Sequence, residues 1–278
     1  MGAGIEFHRY LDLLNERKWL ELRLVLSNTL SYNDAYMSAG QYLLQLQDEV
    51  EASAIASWRL EILVHDRHSS QVGARIIVSA HDTEKTEEAS TAPKERLIEY
   101  PQHTILVLED GKISEIRTIT DIDMKNQRLA HVDPSPQPLD QGPGHLPHVD
   151  LTQFYTAYIR CINDQTMKTE LHKYCHPHVM WCSRRLPLDE YRKLMEDSFE
   201  AISGLTFRVR DLIVDEERQQ VCTRIEFTGT PVRSYAGVEP NGRSVRFAEH
   251  AIYWLDRGKI ARVVTAIDWQ SYRKQLNS

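Results

Sequence analysis

Glu109-Asp110-Gly111-Lys112-Ile113 and Asp256-Arg257-Gly258-Lys259-Ile260 are one five-residue device written twice, 147 residues apart. Each lies between apolar runs that read as strands. Gly in such a tip predicts a tight hairpin whose backbone needs a positive φ. The strand entering the first tip is expected over Thr104–Leu108 and the one entering the second over Val245–Leu255. A closing strand then leads to Asp121 in the first case and to Asp268 in the second.

Outward from the tips, the same order of elements precedes each hairpin. Phe7–Leu14 and Phe154–Ile162 carry apolar residues at helical spacing. A second helical stretch follows in each, then a polar turn, Ser31-Tyr32-Asn33-Asp34 or Cys182-Ser183-Arg184-Arg185. A third helix is expected from Ser38 to about Glu51 and from Leu188 to about Ala201. Trp58–Val64 and Leu205–Asp211 alternate with period two, as half-buried strands do. Val72–Ala80 and Gln220–Thr228 continue each sheet. Phe7 and Phe154, His103 and His250, Gly111 and Gly258, and Asp121 and Asp268 are all 147 residues apart, and an ordered series of such pairs is a duplication.

Between the copies, Asp133–His148 holds five prolines and two glycines and can form neither a helix nor a central strand. It is expected to be a linker, giving domains over 1–132 and 149–278. A length of 278 residues suits two such units. Helices followed by antiparallel strands predict an α+β class, with helices on one face of a curved sheet.

Composition narrows the function. The chain is 41% hydrophobic and 26% charged, with no apolar run of the roughly 20 residues that a membrane span needs. Its net charge is −7, with Lys and Arg scattered among more numerous acids, which argues against nucleic acid as partner. The first residues lack the basic flank and apolar stretch of a signal peptide, so a cytoplasmic location is expected. Cys161, Cys175, Cys182 and Cys222 then read as reduced thiols. His172, Cys175, His176, His178 and Cys182 have ligand chemistry but no second pair at finger spacing, and Pro177 breaks the local helix. No metal is expected.

Gly237-Val238-Glu239-Pro240-Asn241-Gly242-Arg243-Ser244-Val245-Arg246-Phe247-Ala248-Glu249-His250, with the second hairpin, Asp268 and the closing Gln275-Leu276, resembles the SnoaL-like polyketide cyclases. These belong to the nuclear transport factor 2-like superfamily of cone-shaped α+β barrels. The resemblance covers the second half and, more weakly, the first. There the Gly-x-x-Pro-x-Gly-Arg element is missing, and a charged stretch, His81–Glu88, takes its place.

The resemblance implies two tandem cones, each with N-terminal helices on a curved, mostly antiparallel sheet, the second being the active copy and the first a divergent one. It implies a cofactor-independent cyclase or isomerase of secondary metabolism, with a small hydrophobic, polycyclic or polyketide-like substrate. The alternative is a non-catalytic ligand-binding or scaffold protein whose halves pack as an internal pseudo-dimer. An epoxide hydrolase of the limonene type ranks last, because its Asp-Arg-Asp set has no counterpart here.

The resemblance gives Asp268 the role of general base. An exposed aspartate, with a pKa of about 3.9, is a poor base, and desolvation in an apolar cone would improve its match to a C–H between carbonyls. Otherwise Asp268 is a strand-end residue hydrogen-bonded to a turn. Asp121 and His103 mark a candidate second site in the first half. His250 is the natural partner of Asp268 if its face, shared with Ile252 and Trp254, lines the cone; in the opposite case Glu249 points inward with Ala251 and Tyr253. Tyr158, Trp181, Phe227 and Trp254 would suit a flat substrate or pack an ordinary core. Arg224 and Glu226 form a buried pair if inward and a solvated cross-strand pair if outward.

Overall fold

The computed structural model describes residues 2–65, 70–82, 96–132 and 149–277. The expected linker and residues 83–88 of the charged stretch lie outside the described residues. Internal packing divides the chain into two units, Met1–Asp133 and Pro134–Ser278.

The first unit runs α1 (Ala3–Asn15), α2 (Trp19–Val25), β1 (Leu26–Tyr32), β2 (Ala35–Ser38), α3 (Ala39–Ala52), β3 (Ile55–His65), β4 (Gln71–His81), β5 (Leu97–Glu109), β6 (Lys112–Thr120) and α4 (Ile122–Gln127). The second runs α5 (Leu151–Asn163), α6 (Met167–Glu170), β7 (Cys175–Trp181), β8 (Arg184–Pro187), α7 (Leu188–Ala201), β9 (Ile202–Asp215), β10 (Gln220–Pro231), β11 (Val245–Asp256), β12 (Lys259–Ile267) and α8 (Trp269–Asn277). Each unit has a six-stranded sheet, ordered β2-β1-β6-β5-β4-β3 and β8-β7-β12-β11-β10-β9. Pairing is antiparallel except where β1 meets β6 and β7 meets β12. The class is α+β, with helices on one face of each sheet.

Local chemistry sets the boundaries. Ser38 caps α3 with a capping box: its side chain accepts from the Gln41 N–H while the Gln41 side chain accepts from the Ser38 N–H. At the hairpin tips both turn residues have positive φ, +50° at Asp110 and +76° at Gly111, then +50° at Arg257 and +72° at Gly258. That pair of left-handed residues matches the twist of the strands it joins.

Several details differ from the sequence expectation: the strand expected over Thr104–Leu108 is β5, Leu97–Glu109, and a further helix, α4 or α8, follows each closing strand. The second helical stretch is shorter than its apolar face suggests: its end becomes β1 or β7, whose burial comes from pairing beside the closing strand. The polar turns therefore sit at the tips of β1–β2 and β7–β8, with Asn33, Asp34 and Cys182 at positive φ. The repeat offset also drifts. Ala3 and Leu151 open their helices 148 residues apart, so Phe7 matches Tyr155 and not Phe154; Ala39 and Leu188 are 149 apart. Only the later strands keep 147.

Among the described residues no helix is long and apolar enough to cross a membrane.

Candidate functional site

In the second unit, strand alternation decides which side chains meet the helices. Val245, Phe247, Ala251, Tyr253 and Leu255 of β11 belong to one buried cluster with Tyr155, Tyr158 and Ile159 of α5 and Tyr191 of α7. Glu249 has the parity of that face and is buried, 9% exposed. His250, although 1% exposed, lies on the opposite face with Ile252 and Trp254. Of the two inward alternatives, the cone therefore receives Glu249.

The surroundings of Glu249 are tyrosine-rich. Burial pushes its carboxyl up to about 7, and a hydrogen bond with the Thr265 side chain partly opposes the shift. Its charge adds to the burial that raises Tyr155, Tyr191, Tyr235 and Tyr253. The Tyr155 hydroxyl donates to Tyr253 at 3.4 Å, and the Tyr158 and Tyr191 hydroxyls are 2.9 Å apart. An acid of this kind can take up and return a proton near neutrality, beside phenols able to donate to a developing oxyanion.

The other expected site residues separate. Asp268 stands before α8 and accepts the Ser271 N–H at 2.9 Å, an N-cap, while its own N–H donates to Ala248. Phe227 faces inward but belongs to an aromatic cluster, edge-on to Phe207 at 4.8 Å and tilted against Phe247 at 5.0 Å between ring centroids. Tyr158 is inward, and Trp181 packs at the edge of the same cluster. Arg224 pairs across the ladder with His250 and so shares its outer face. Glu226 is outward too, accepting from the Arg246 Nε at 2.7 Å. Trp254, also outward, carries the Arg262 guanidinium 5.4 Å from its ring centre. Of the alternatives that the sequence leaves open, His250, Arg224 and Trp254 take the outer face and not the cone lining. Their period-two spacing fits either face, and only the packed helices break the tie.

The first unit repeats the frame with different chemistry. Arg75 stands opposite His103 as Arg224 stands opposite His250, so His103 is outward. Asp121 caps α4, accepting the Met124 N–H at 2.9 Å. Burial raises its pKa, and that hydrogen bond opposes the rise. Tyr10 and Tyr42, the counterparts of Tyr158 and Tyr191, have hydroxyls 2.6 Å apart. Beside them lies a cavity of about 20 Å³, lined among others by Tyr32, Glu49, Trp58, Gln102 and Thr118. At the 147-residue offset Gln102 replaces Glu249, and at the 149-residue offset Glu49 of α3 stands where the second unit has Ser198.

Sequence reasoning missed Tyr155, Tyr191, Tyr253, Thr265 and Glu49 as site residues. The signal for the tyrosines was their helical and strand spacing around Glu249; for Glu49 there was none. Among the described residues no group of three or more His, Cys, Asp or Glu is placed to hold a metal ion.

Residues 152–276 match the family model described as SnoaL-like polyketide cyclase. A SnoaL-like polyketide cyclase of Agrobacterium tumefaciens with a solved structure is 30% identical, over 45% of this chain and 97% of its own, with a TM-score of 0.43. TsrD of Streptomyces laurentii is 18% identical, over 48% of this chain and 98% of its own, with a TM-score of 0.43. No curated protein matches the chain.

Proposed function

This chain belongs to the SnoaL-like polyketide cyclase family, and on that premise we propose that its second unit is a cyclase or isomerase of polyketide-like compounds in which Glu249 moves the proton. The observation that carries this is the inward Glu249 carboxyl, held near neutrality by burial and set among tyrosines. Asp268, which the family resemblance singles out as base, caps α8 with one of its carboxylate oxygens.

The scheme balances without a redox partner. Ionised Glu249 takes the proton from a carbon between two carbonyls, leaving an enolate whose oxygen charge the neighbouring phenol O–H groups oppose. The enolate carbon forms a bond to a carbonyl carbon of the same molecule, and that carbonyl's π pair becomes an alkoxide. The alkoxide recovers the proton from Glu249, so substrate and product are isomers. Holding the chain folded for this attack supplies much of the barrier reduction.

The test is turnover of a poly-β-ketone substrate by Glu249→Gln and Asp268→Asn. The reading expects Glu249→Gln to lose at least about a hundredfold in kcat, the usual scale of a lost general base, while Asp268→Asn stays near the parent. The opposite ranking overturns the assignment and returns the role to Asp268.

A further inference from the structure

We propose that the first unit is a binding site in its own right, taking a small primary ammonium group between the aromatic rings of its cavity and the Glu49 carboxylate at its mouth. The site goes beyond the second-unit chemistry and does not depend on it.

Four aromatic side chains, Tyr10, Tyr32, Tyr42 and Trp58, line the cavity together with Glu49. The Tyr32 and Tyr42 rings lie 5.2 Å apart at 59°, so they present surfaces at an angle to one another and not a closed stack. Aromatic faces attract cations, more strongly when water is excluded. The same unit already uses its rings in this way: the Arg17 guanidinium lies 4.8 Å from the Trp58 ring centre and the Lys125 ammonium 5.2 Å from that of Tyr100.

Charge and size narrow the ligand. Glu49 is exposed on one side and lines the cavity on the other. Desolvation raises its pKa, and its charge contributes to the raised pKa values of Tyr10, Tyr32, Tyr42 and Tyr100. Lys125 opposes the shift while donating to Ser53 at 3.1 Å. A cavity of about 20 Å³ admits one or two water-sized groups. That suits a primary ammonium and its first carbon, with any larger body of the ligand left outside the mouth.

The second copy acts as an internal control. It keeps the tyrosine pair but has Ser198 in place of Glu49, with Ser198 Oγ 2.8 Å from the Tyr235 hydroxyl. The first copy has given up the strand acid and gained a helix acid, so it is built for a different ligand.

The probe is methylammonium chloride, titrated into the ¹⁵N-labelled full chain against sodium chloride at equal ionic strength. The Trp58 indole N–H, identified by its loss in Trp58→Phe, reports occupancy. A saturable shift is expected, weakened at least about tenfold, or 1.4 kcal/mol, in Glu49→Gln and unchanged in Glu249→Gln. Lys125→Met, which removes the competing cation, should tighten binding. Absence of a saturable shift, equal binding to Glu49→Gln, weaker binding to Lys125→Met, or an equal response to neutral methanol overturns the proposal.

Discussion

Asn163 grips the backbone of Phe207 at both ends: its Nδ2 donates to the Phe207 carbonyl at 2.9 Å and its Oδ1 accepts the Phe207 N–H at 2.9 Å. Asn15 holds Trp58 in the same way, at 2.9 and 2.8 Å. The clamp ties the first helix of each unit to the outermost long strand of its sheet. Asn163→Ala leaves both Phe207 groups without it, at a cost of roughly 2–3 kcal/mol. Urea denaturation should show this as a lower midpoint with an unchanged slope.

The tyrosine pairs call for a similar test. Tyr158→Phe leaves the Tyr191 hydroxyl buried without its 2.9 Å partner, which should cost about 1–2 kcal/mol. The double variant with Tyr191→Phe should cost less than the sum of the singles, because no orphaned hydroxyl remains. A double-mutant cycle on thermal melts measures the difference.

The raised Glu249 pKa makes stability depend on pH. The folded state holds this proton more tightly than the unfolded chain, with a pKa of about 7 against the usual 4.5. The resulting stabilisation is complete below about pH 4.5 and fades as pH rises through about 7, by at most about 3 kcal/mol. Melts of the parent and Glu249→Gln should converge in pH dependence outside that window. Within it, only the parent should lose stability from this source.

The same titration governs turnover. If ionised Glu249 is the base, kcat/KM should rise with pH and level off above about 7. A rate flat from pH 5 to 8 would contradict it.

Asp268 should behave as a cap. Asp268→Ala is expected to lose about 1 kcal/mol of stability and Asp268→Asn much less, since Asn accepts the same N–H. Thermal denaturation of the two variants separates them.

The hairpin tips, the β3–β6 and β9–β12 strands and α3 with α7 were legible because turn chemistry and alternation are local signals. The short β1 and β7 were not. Their residues alternate over few positions, and they owe their state to parallel pairing with a strand some eighty residues away. The site was half legible for a related reason. Alternation showed that Glu249 and His250 oppose each other, but the choice between them depended on Tyr155, Tyr158 and Tyr191, which come from helices. Asp268 lay in a family-like context, and its capping bond appears only once α8 begins directly after it.

The drift in the repeat offset has its own consequence. Arg75 and Arg224 are 149 residues apart, yet the histidines facing them, His103 and His250, are 147 apart. The ladders absorb none of that difference. It falls in the connections, 15 residues from 82 to 96 and 13 from 232 to 244. The second of these connections is moored along its length, Tyr235 to Ser198 of α7, the Ala236 carbonyl to Arg273 and Asn241 to the Leu276 carbonyl of α8, so its shorter span fixes where both helices are tied while the weave on either side keeps its count.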